Sequence, residues 1–197
     1  MSRREDPVVT GIGAVTPLGL SAPETWAGLV AGRSGVGPVQ SFDASDLPVR
    51  IAAEVRGFDG EAVMGAKRHR RSARFSQLAV AAAREAVADA ALELEPIAQR
   101  TGVVVNAAVA GEPETERNVR ALIEQGPREV SPYFVPSTIL NMAACEVAID
   151  LSVHGPVNAS ALACASGTAA LLEARRLILC DEADVVIAGG TDAGISR

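Results

Sequence analysis

The region from residue 157 to residue 188 has the most regular pattern in the chain. It predicts a strand at 157–162, a helix from about Gly167 to Leu179, and a second strand at Asp184–Ala188. Strand, helix and strand at this spacing make a βαβ crossover, in which the helix joins two parallel strands across one face of a sheet. This pattern restricts the chain to an α/β fold.

Four further segments agree with that fold. Thr101–Val105 is a continuous apolar run, typical of a strand that is covered on both faces. Phe75–Leu92 predicts a long Ala-rich helix whose small residues allow close packing, and a second helix is predicted at Thr138–Leu151. Pro7–Thr10 predicts a short strand that leads into a Gly-rich loop. The prolines on either side of Tyr133 predict a loop there.

The composition limits both the size of the protein and its partners. The 197 residues are 48% hydrophobic but only 3% aromatic, so one domain with a core of Ala, Val, Leu and Ile is expected. The net charge of −6 argues against nucleic-acid binding through bulk phosphate neutralisation. The first residues show no signal-peptide pattern, and no apolar run is long enough to span a membrane. We therefore expect a cytoplasmic protein that binds neither nucleic acid nor membrane.

Cys164 is the candidate reactive residue. It lies between the predicted strand and helix, in the stretch of small residues Ala161–Thr168, which suits a sharp turn. At a helix N-terminus the partial positive charge favours thiolate over thiol, and thiolate is the nucleophilic form. The residues alone leave two interpretations open, a nucleophile and a buried structural cysteine.

The other two cysteines, Cys145 and Cys180, are interpreted as structural. Asp181 and Glu182, which follow Cys180, would also oppose thiolate formation there. Three cysteines at wide spacing, with no Cys-x-x-Cys pair and no Cys/His cluster, predict neither a disulfide framework nor a metal site.

A cysteine nucleophile normally needs a histidine, and the chain has two, His69 and His154. His154 is separated from Cys164 by the predicted strand, whose ends are on the order of 20 Å apart at ~3.3 Å per residue. His69 lies among basic residues, where a solvated position is expected. The sequence therefore predicts that the base comes from elsewhere.

A cluster of cations stands out in this acidic chain. Five of the eight residues at 67–74 are cationic, which creates a positive field that attracts an anionic partner. They are Lys67, Arg68, Arg70, Arg71 and Arg74. A solvated helix face is the alternative interpretation. The stretch Gly11–Gly13 lacks the third glycine of a dinucleotide-binding loop, so that interpretation is discarded.

Six segments of the chain recur together, in this order, in one known family. They are Val9–Gly19, Gly32–Gly35, Arg74–Gln77, Ser131–Thr138, Ala163–Thr168 and Ala183–Gly190. With them the chain resembles the N-terminal half of the β-ketoacyl-acyl carrier protein synthases, the elongating condensing enzymes of fatty acid and type II polyketide synthesis. The resemblance covers residues 1–197 as one N-terminal half-domain.

The resemblance implies a thiolase-like α/β fold, in which helices cover a mixed sheet and the nucleophile lies at a strand-to-helix turn. It implies that Cys164 accepts an acyl group from a carrier protein. A malonyl-carrier protein then loses CO2 in a decarboxylative Claisen condensation, and the backbone N–H of the cysteine contributes to the oxyanion hole. No cofactor or metal is implied.

The resemblance also implies further site residues. Val109 matches a gating position beside the cysteine, and Phe134 matches a loop residue that reaches toward the partner subunit's acyl pocket. Four cations match the basic surface that receives the acidic acyl carrier protein: Lys67, Arg70, Arg71 and Arg128. The gate is usually Gly-rich, whereas here Ala107–Gly111 has a single glycine, so its backbone is expected to move less freely.

Three positions near the cysteine bear on assembly. Leu162 replaces the usual Thr two positions before the cysteine, while Asn158 and Ser160 fall in the strand that meets its twin at the family's dimer axis. The chain is therefore expected in a dimer or heteromer, in which the altered strand would meet an altered partner.

The family's catalytic histidines, its lysine and a second oxyanion donor belong to a C-terminal half that the sequence does not contain. The leading hypothesis is a split condensing enzyme, in which a complementary chain supplies these groups. The alternative is a non-catalytic, truncated or degenerate half that acts as an interaction or scaffold subunit. A cysteine acyltransferase or thioesterase working alone is the weakest interpretation.

Overall fold

The structure, a computed structural model, describes residues 6–197 as eight α-helices and five β-strands. The helices are α1 (Ala22–Val30), α2 (Gly60–Met64), α3 (Ala66–His69), α4 (Arg74–Asp89), α5 (Glu112–Glu124), α6 (Phe134–Thr138), α7 (Met142–Leu151) and α8 (Ser166–Leu179). The strands are β1 (Gly37–Pro38), β2 (Ile51–Ala52), β3 (Thr101–Asn106), β4 (Val157–Asn158) and β5 (Val185–Gly190). The positions examined for a signal peptide lie largely outside the described residues.

A three-stranded parallel sheet organises the fold. β3 lies in the middle, β4 pairs with one side of it and β5 with the other. The helix α8 connects β4 to β5 and therefore crosses over β3, which confirms the predicted βαβ crossover and the α/β fold. β1 and β2 form a separate antiparallel pair, so the chain contains both kinds of strand pairing.

Helices cover both faces of this sheet. On one face, α7 packs against β3, and α4 packs on α7 and β5 in the same apolar core as Val103 and Val105. On the other face, α8 packs through Ala170 and Leu177 against Val104. Successive side chains of a strand point to opposite faces, so one apolar run supplies both cores. Every residue of β3 is buried, as the continuous apolar pattern predicts.

The strand predicted at Pro7–Thr10 is not formed. Val8 and Val9 are 81% and 75% exposed, and no strand pairs with this segment among the described residues. The segment and the open side of β5 line the same cavity, of about 300 Å³. A β-branched segment forms a strand only when a neighbouring strand is present to hydrogen-bond with it. The prediction is wrong because that neighbour is absent from the described residues, although the composition of the segment suits a strand.

The chain after this segment lies directly on α4. A Cβ atom at Gly11 would fall 2.2 Å from the carbonyl oxygen of Ala86, and one at Gly13 would fall 1.9 Å from that of Ala82. Only glycine permits this approach of two backbones, and alanine on the helix leaves room for it. The predicted close packing of the Ala-rich helix is confirmed.

Two boundaries differ from the predictions in the middle of the chain. The loop predicted around Tyr133 contains the short helix α6, in which Pro136 occupies the first turn, where its missing N–H would have no intrahelical partner. The helix predicted from Thr138 begins at Met142 instead, because the backbone at Ile139 is extended and ends α6. No helix in the described part of the chain is long and apolar enough to cross a membrane.

Candidate active site

Cys164 lies on a tight turn at the carboxyl edge of the parallel sheet. The turn, Ala163–Ala165, leads directly into α8, and Cys164 is exposed to solvent. Ala163 has φ of 48°, a left-handed conformation that costs a non-glycine residue about 1–2 kcal/mol. Backbone strain of this kind is maintained only when the surrounding structure enforces it, and it is common at functional sites.

Ser166 is the residue that closes this turn. Its buried hydroxyl accepts a hydrogen bond from the N–H of Leu162 at 3.0 Å and donates one to the carbonyl oxygen of Ala107 at 3.2 Å. The first residue of α8 is thereby tied both to the chain before Cys164 and to the end of β3. The cysteine is held between these two attachments.

Asn106, the last residue of β3, holds the same turn from below. Its side chain is 1% exposed, donates to the carbonyl oxygen of Ser166 at 3.0 Å and accepts from the N–H of Ser160 at 2.8 Å. The second bond takes Ser160 away from the sheet, so β4 stops at Asn158 although the sequence predicts a strand to residue 162. Neither Asn106 nor Ser166 is among the residues predicted from the sequence; the available signal for Asn106 is a polar residue at the end of a fully apolar run.

Two glycines allow α8 to approach the sheet edge. A Cβ atom at Gly190, the end of β5, would lie 2.9 Å from the Cα of Gly167. Any larger residue at Gly190 would push the first turn of α8, and with it Cys164, away from β5.

The turn Ala107–Gly111 lies next to the cysteine turn and carries Val109, which is 44% exposed. The carboxylate of Asp192 accepts hydrogen bonds from three consecutive backbone N–H groups of this turn, at 2.7, 3.0 and 3.0 Å. At its far end, a Cβ atom on Gly111 would fall 2.3 Å from the Cα of Thr138 in α6. The turn is therefore fixed at both ends and along its middle.

Phe134 is the first residue of α6 and is half-buried. Its carbonyl oxygen accepts a hydrogen bond from the hydroxyl of Ser137 at 2.8 Å. Because Gly111 abuts the end of α6, the structure brings the segments of Val109 and Phe134 together on the same side as the cysteine turn.

The four predicted carrier-binding cations are all exposed, and none forms an ion pair with another residue in the range 6–197. They are Lys67, Arg70, Arg71 and Arg128. The guanidinium of Arg71 lies 4.7 Å from the ring centroid of Tyr133, which links the segment after α3 to the segment that contains Arg128. The two predicted parts of the basic surface are thus adjacent.

Arg68 behaves differently from its neighbours in the cluster. It turns inward and binds the carboxylates of Glu146 and Asp150 on α7, at 2.7 and 2.5 Å, and Asp150 also binds Arg84 of α4 at 2.7 Å. Burial opposes ionisation of Asp150, but hydrogen bonds from Arg84 and Arg68 outweigh it and hold the pKa of this carboxyl below its ordinary value. This network attaches α3 to α4 and α7.

The two histidines occupy different places in the fold. His154 donates its backbone N–H to Ala98, and the next residue bonds to Thr101, so His154 is at the beginning of β3, whereas Cys164 is at the end. His69 is half-buried rather than solvated, and its Nδ1 is buried without a hydrogen-bond partner among the described residues. The expectation of a solvated His69 is wrong, because α2 covers that nitrogen at Gly60.

The remaining cysteines occupy two different environments. Cys145 is half-buried in α7, where the side-chain amide of Asn141 approaches its sulfur at 3.7 Å. Cys180 is exposed at the C-terminal end of α8, so the interpretation of it as a buried structural residue is wrong. Within the residues described, no group of His, Cys, Asp and Glu side chains could hold a metal ion.

The fold and the cysteine turn together define an α/β domain with an exposed cysteine at a strand-to-helix turn, and comparison with known families identifies which family it is. Residues 5–197 match the family described as "Beta-ketoacyl synthase, N-terminal domain". The chain therefore belongs to the β-ketoacyl synthase family and corresponds to its N-terminal domain, as the resemblance predicts.

Two curated relatives give the scale of the similarity. The chain is 43% identical over 186 residues to 3-oxoacyl-[acyl-carrier-protein] synthase 2 of Coxiella burnetii (strain RSA 493 / Nine Mile phase I), covering 94% of the chain and 45% of that protein. It is 39% identical over 198 residues to the protein of the same name from Staphylococcus aureus (strain COL), covering 100% of the chain and 48% of the relative. The chain thus spans about half the length of the curated relatives that it matches.

Solved structures agree with this assignment. The ishigamide ketosynthase/chain length factor superposes with a TM-score of 0.86 at 28% identity, over 96% of the chain and 48% of the solved chain. A type II polyketide synthase ketosynthase in complex with its acyl-carrier protein, AntDE:AntF, superposes with a TM-score of 0.79 at 26% identity, over 96% and 46%.

Proposed function

We propose that this chain supplies the acyl-accepting nucleophile, Cys164, of a β-ketoacyl-acyl carrier protein synthase. The observation that carries the proposal is the exposed Cys164 on a strained turn at the N-terminus of α8. The helix dipole there favours a negative charge on the sulfur, the charge that a nucleophile needs. Family membership supports the same role.

In the proposed reaction, the Sγ of Cys164 attacks the carbonyl carbon of an acyl-carrier thioester. A new C–S bond forms, and the carrier thiol leaves and takes up a proton. A malonyl-carrier thioester then loses CO2, and its carbanion attacks the acyl carbon on Cys164. The new C–C bond forms as the Cys164 C–S bond breaks, which returns the thiolate. The backbone N–H of Cys164 contributes to stabilising the oxyanion of each addition step.

The remaining catalytic groups come, in this proposal, from the family's C-terminal half, which lies outside residues 1–197. Support comes from His154, which lies at the opposite end of β3 from the cysteine, and from His69, whose Nδ1 is buried against α2. The solved relatives include a ketosynthase/chain length factor, which is a precedent for a paired assembly in that protein.

The proposed carrier-docking surface comprises Lys67, Arg70, Arg71 and Arg128. Their exposure and lack of ion pairs in the described structure leave four positive charges available to an acidic partner. The complex of AntDE with its acyl-carrier protein shows that a relative of this fold binds such a partner. Val109 and Phe134 are the proposed walls of the acyl pocket, and their segments meet at Gly111.

A complementation experiment tests the proposal. The chain is mixed with the C-terminal half of the Coxiella burnetii relative, complex formation is checked by size-exclusion chromatography, and acyl-carrier protein and malonyl-carrier protein are added. We expect an acyl adduct on the Cys164 peptide by mass spectrometry, followed by a β-ketoacyl product. The Cys180→Ser variant, altered at the other end of the same helix, should behave like wild type, whereas Cys164→Ser should form neither adduct nor product. A stable complex that leaves Cys164 unmodified would contradict the proposal.

A second candidate is a non-catalytic interaction or scaffold subunit. It is favoured by exposed apolar side chains on α1, where Trp26, Leu29 and Val30 are 68%, 57% and 71% exposed. A surface of this kind marks a site of protein contact. Formation of the complex with an inert Cys164 would support this candidate instead.

A further inference from the structure

The turn Ala107–Gly111 is held by a carboxylate from a distant part of the chain. Asp192 binds the N–H groups of Ala108, Val109 and Ala110, so both of its oxygens are engaged by one turn. Three consecutive N–H groups that converge on one anion form a compact and directional interaction, and hydrogen bonds to a charged acceptor are roughly twice as strong as neutral ones. Asp192 therefore fixes the backbone on both sides of Val109.

The two ends of the turn are anchored as well. The carbonyl oxygen of Ala107 accepts the hydroxyl of Ser166, which also closes the cysteine turn. Gly111 abuts Thr138 at the end of α6. Any movement of Val109 would have to break the Asp192 bonds while these two ends stay in place.

The segment that follows β5, residues 191–197, carries Asp192 and also contacts the Val109 side chain. A Cβ atom at Gly194 would lie 2.6 Å from a γ-methyl of Val109, so the segment passes directly beside this side chain. Ala110 adopts φ of 50°, which favours glycine, and it is the last of the three residues bound to Asp192. The hydrogen bond from Asp192 therefore helps to hold Ala110 in a backbone conformation that alanine rarely adopts.

We propose that Asp192 is a positioning residue that locks Val109 in one place, so that the acyl group is selected by a fixed wall and not by a moving gate. The inference rests on the proposed function, in which Val109 lines the acyl pocket. Its chemical consequence is a limit on acyl length: a locked valine stops a long alkyl chain that a mobile turn would admit. Release of the turn should therefore favour longer acyl groups.

The first test measures how rigidly Asp192 holds the turn Ala107–Gly111, and it needs no catalytic assay. Hydrogen exchange is compared at Ala108, Val109 and Ala110 in wild type and Asp192→Ala, and exchange at least about tenfold faster is expected in the variant. The amides of β3 report whether the fold is intact. The matched control is Asp59→Ala, which removes a carboxylate that binds the N–H groups of Glu61 and Ala62 at α2 and should leave the Val109 turn unchanged.

The second test measures acyl selection. The rate of Cys164 acylation is determined with short-chain and long-chain acyl-carrier thioesters, in the complex used above. For Asp192→Ala we expect the long-to-short rate ratio to rise about threefold or more, whereas Asp59→Ala keeps the wild-type ratio. Asp192→Glu, which keeps the charge, should restore part of the wild-type ratio.

The outcomes separate the two proposals. Unchanged exchange at the turn in Asp192→Ala, with β3 intact, overturns the lock. Faster exchange with an unchanged rate ratio overturns the role in acyl selection. Absence of acylation at Cys164 in wild type overturns the proposed function, and the exchange result still decides whether Asp192 locks the turn.

Discussion

Helix α8 carries an exposed cysteine at each end. Cys164 precedes its first turn, where unpaired N–H groups concentrate positive charge, and Cys180 follows its last turn, where carbonyl groups concentrate negative charge. Asp181 and Glu182 add negative charge next to Cys180. The same helix should thus stabilise an anionic sulfur at one end and destabilise it at the other.

This asymmetry predicts a difference in alkylation rate. With a limiting amount of iodoacetamide at neutral pH, Cys164 should react about three- to thirtyfold faster than Cys180, since the two helix ends together contribute roughly 0.6–2 kcal/mol. Peptide mass spectrometry measures both sites in one sample, and half-buried Cys145 is an internal control that should react slowest. Equal or faster reaction at Cys180 would show that the helix does not activate Cys164.

At this scale, the sequence indicates Cys164 but not the residues that position it. Small residues between a strand and a helix are a local pattern, visible in a single stretch. Asn106 acts through Ser160 and Ser166, which are 54 and 60 positions away, so its role depends on strand order. No local pattern contains that information.

A helix or strand can be predicted from the sequence when the pattern that stabilises it lies within its own segment, and not when it depends on a distant partner. β3 was predicted because burial on both faces requires an apolar run in the sequence itself. The segment at Pro7–Thr10 has the composition of a strand but no strand partner, and pairing partners cannot be read from one segment. The early stop of β4 arises from the bond between Ser160 and Asn106, which is again a distant contact.

The link between α3, α4 and α7 leads to a prediction about stability and pH. Asp150→Asn should lower the free energy of unfolding by roughly 1–3 kcal/mol at pH 7, because Arg68 and Arg84 lose a partner that is 4% exposed. The folded-state pKa of Asp150 is depressed below 3.8. Its contribution is therefore fully present above pH ~4 and is lost as the pH falls through the folded-state value.

Urea unfolding of both proteins at several pH values measures this effect. The difference between wild type and Asp150→Asn should be constant from pH 5 to pH 7 and should shrink below about pH 4. Asp46→Asn is the matched control, since Asp46 also pairs with an arginine, Arg197, but is 58% exposed and should contribute less than about 1 kcal/mol. A difference that persists unchanged at low pH would exclude the ionised Asp150 as its source.

Across the whole molecule, the sheet separates two surfaces of different character. α4 and α7 cover one face, with α3 and its cations attached to them, while α8 covers the other. One arginine of the cluster, Arg68, is used internally to hold α3, which leaves its neighbours pointing outward. The proposed docking surface is therefore supported by the fold and does not depend on a flexible tail.

This arrangement predicts the salt dependence of carrier binding. Arg70→Glu and Arg71→Glu should each weaken binding of acyl-carrier protein at least about fivefold at low ionic strength, because each removes one attractive charge and adds a repulsive one. The effect should diminish at high salt. Isothermal titration measures both, and Arg175→Glu on α8, across the sheet, should bind like wild type. Equal losses for all three variants would exclude a localised docking surface.

Because β3 pairs with β5, the newly synthesised β3 must wait for a partner strand that is made much later. Arg100 and Asp184, which immediately precede these strands, are 84 positions apart and bonded to each other. At roughly 5–20 residues per second, β5 leaves the ribosome about 4–17 s after β3. During that interval β3, whose residues are all buried in the finished fold, has at least one open edge, and the cysteine turn lacks the support of Gly190. We expect nascent chains to depend on chaperones for those seconds.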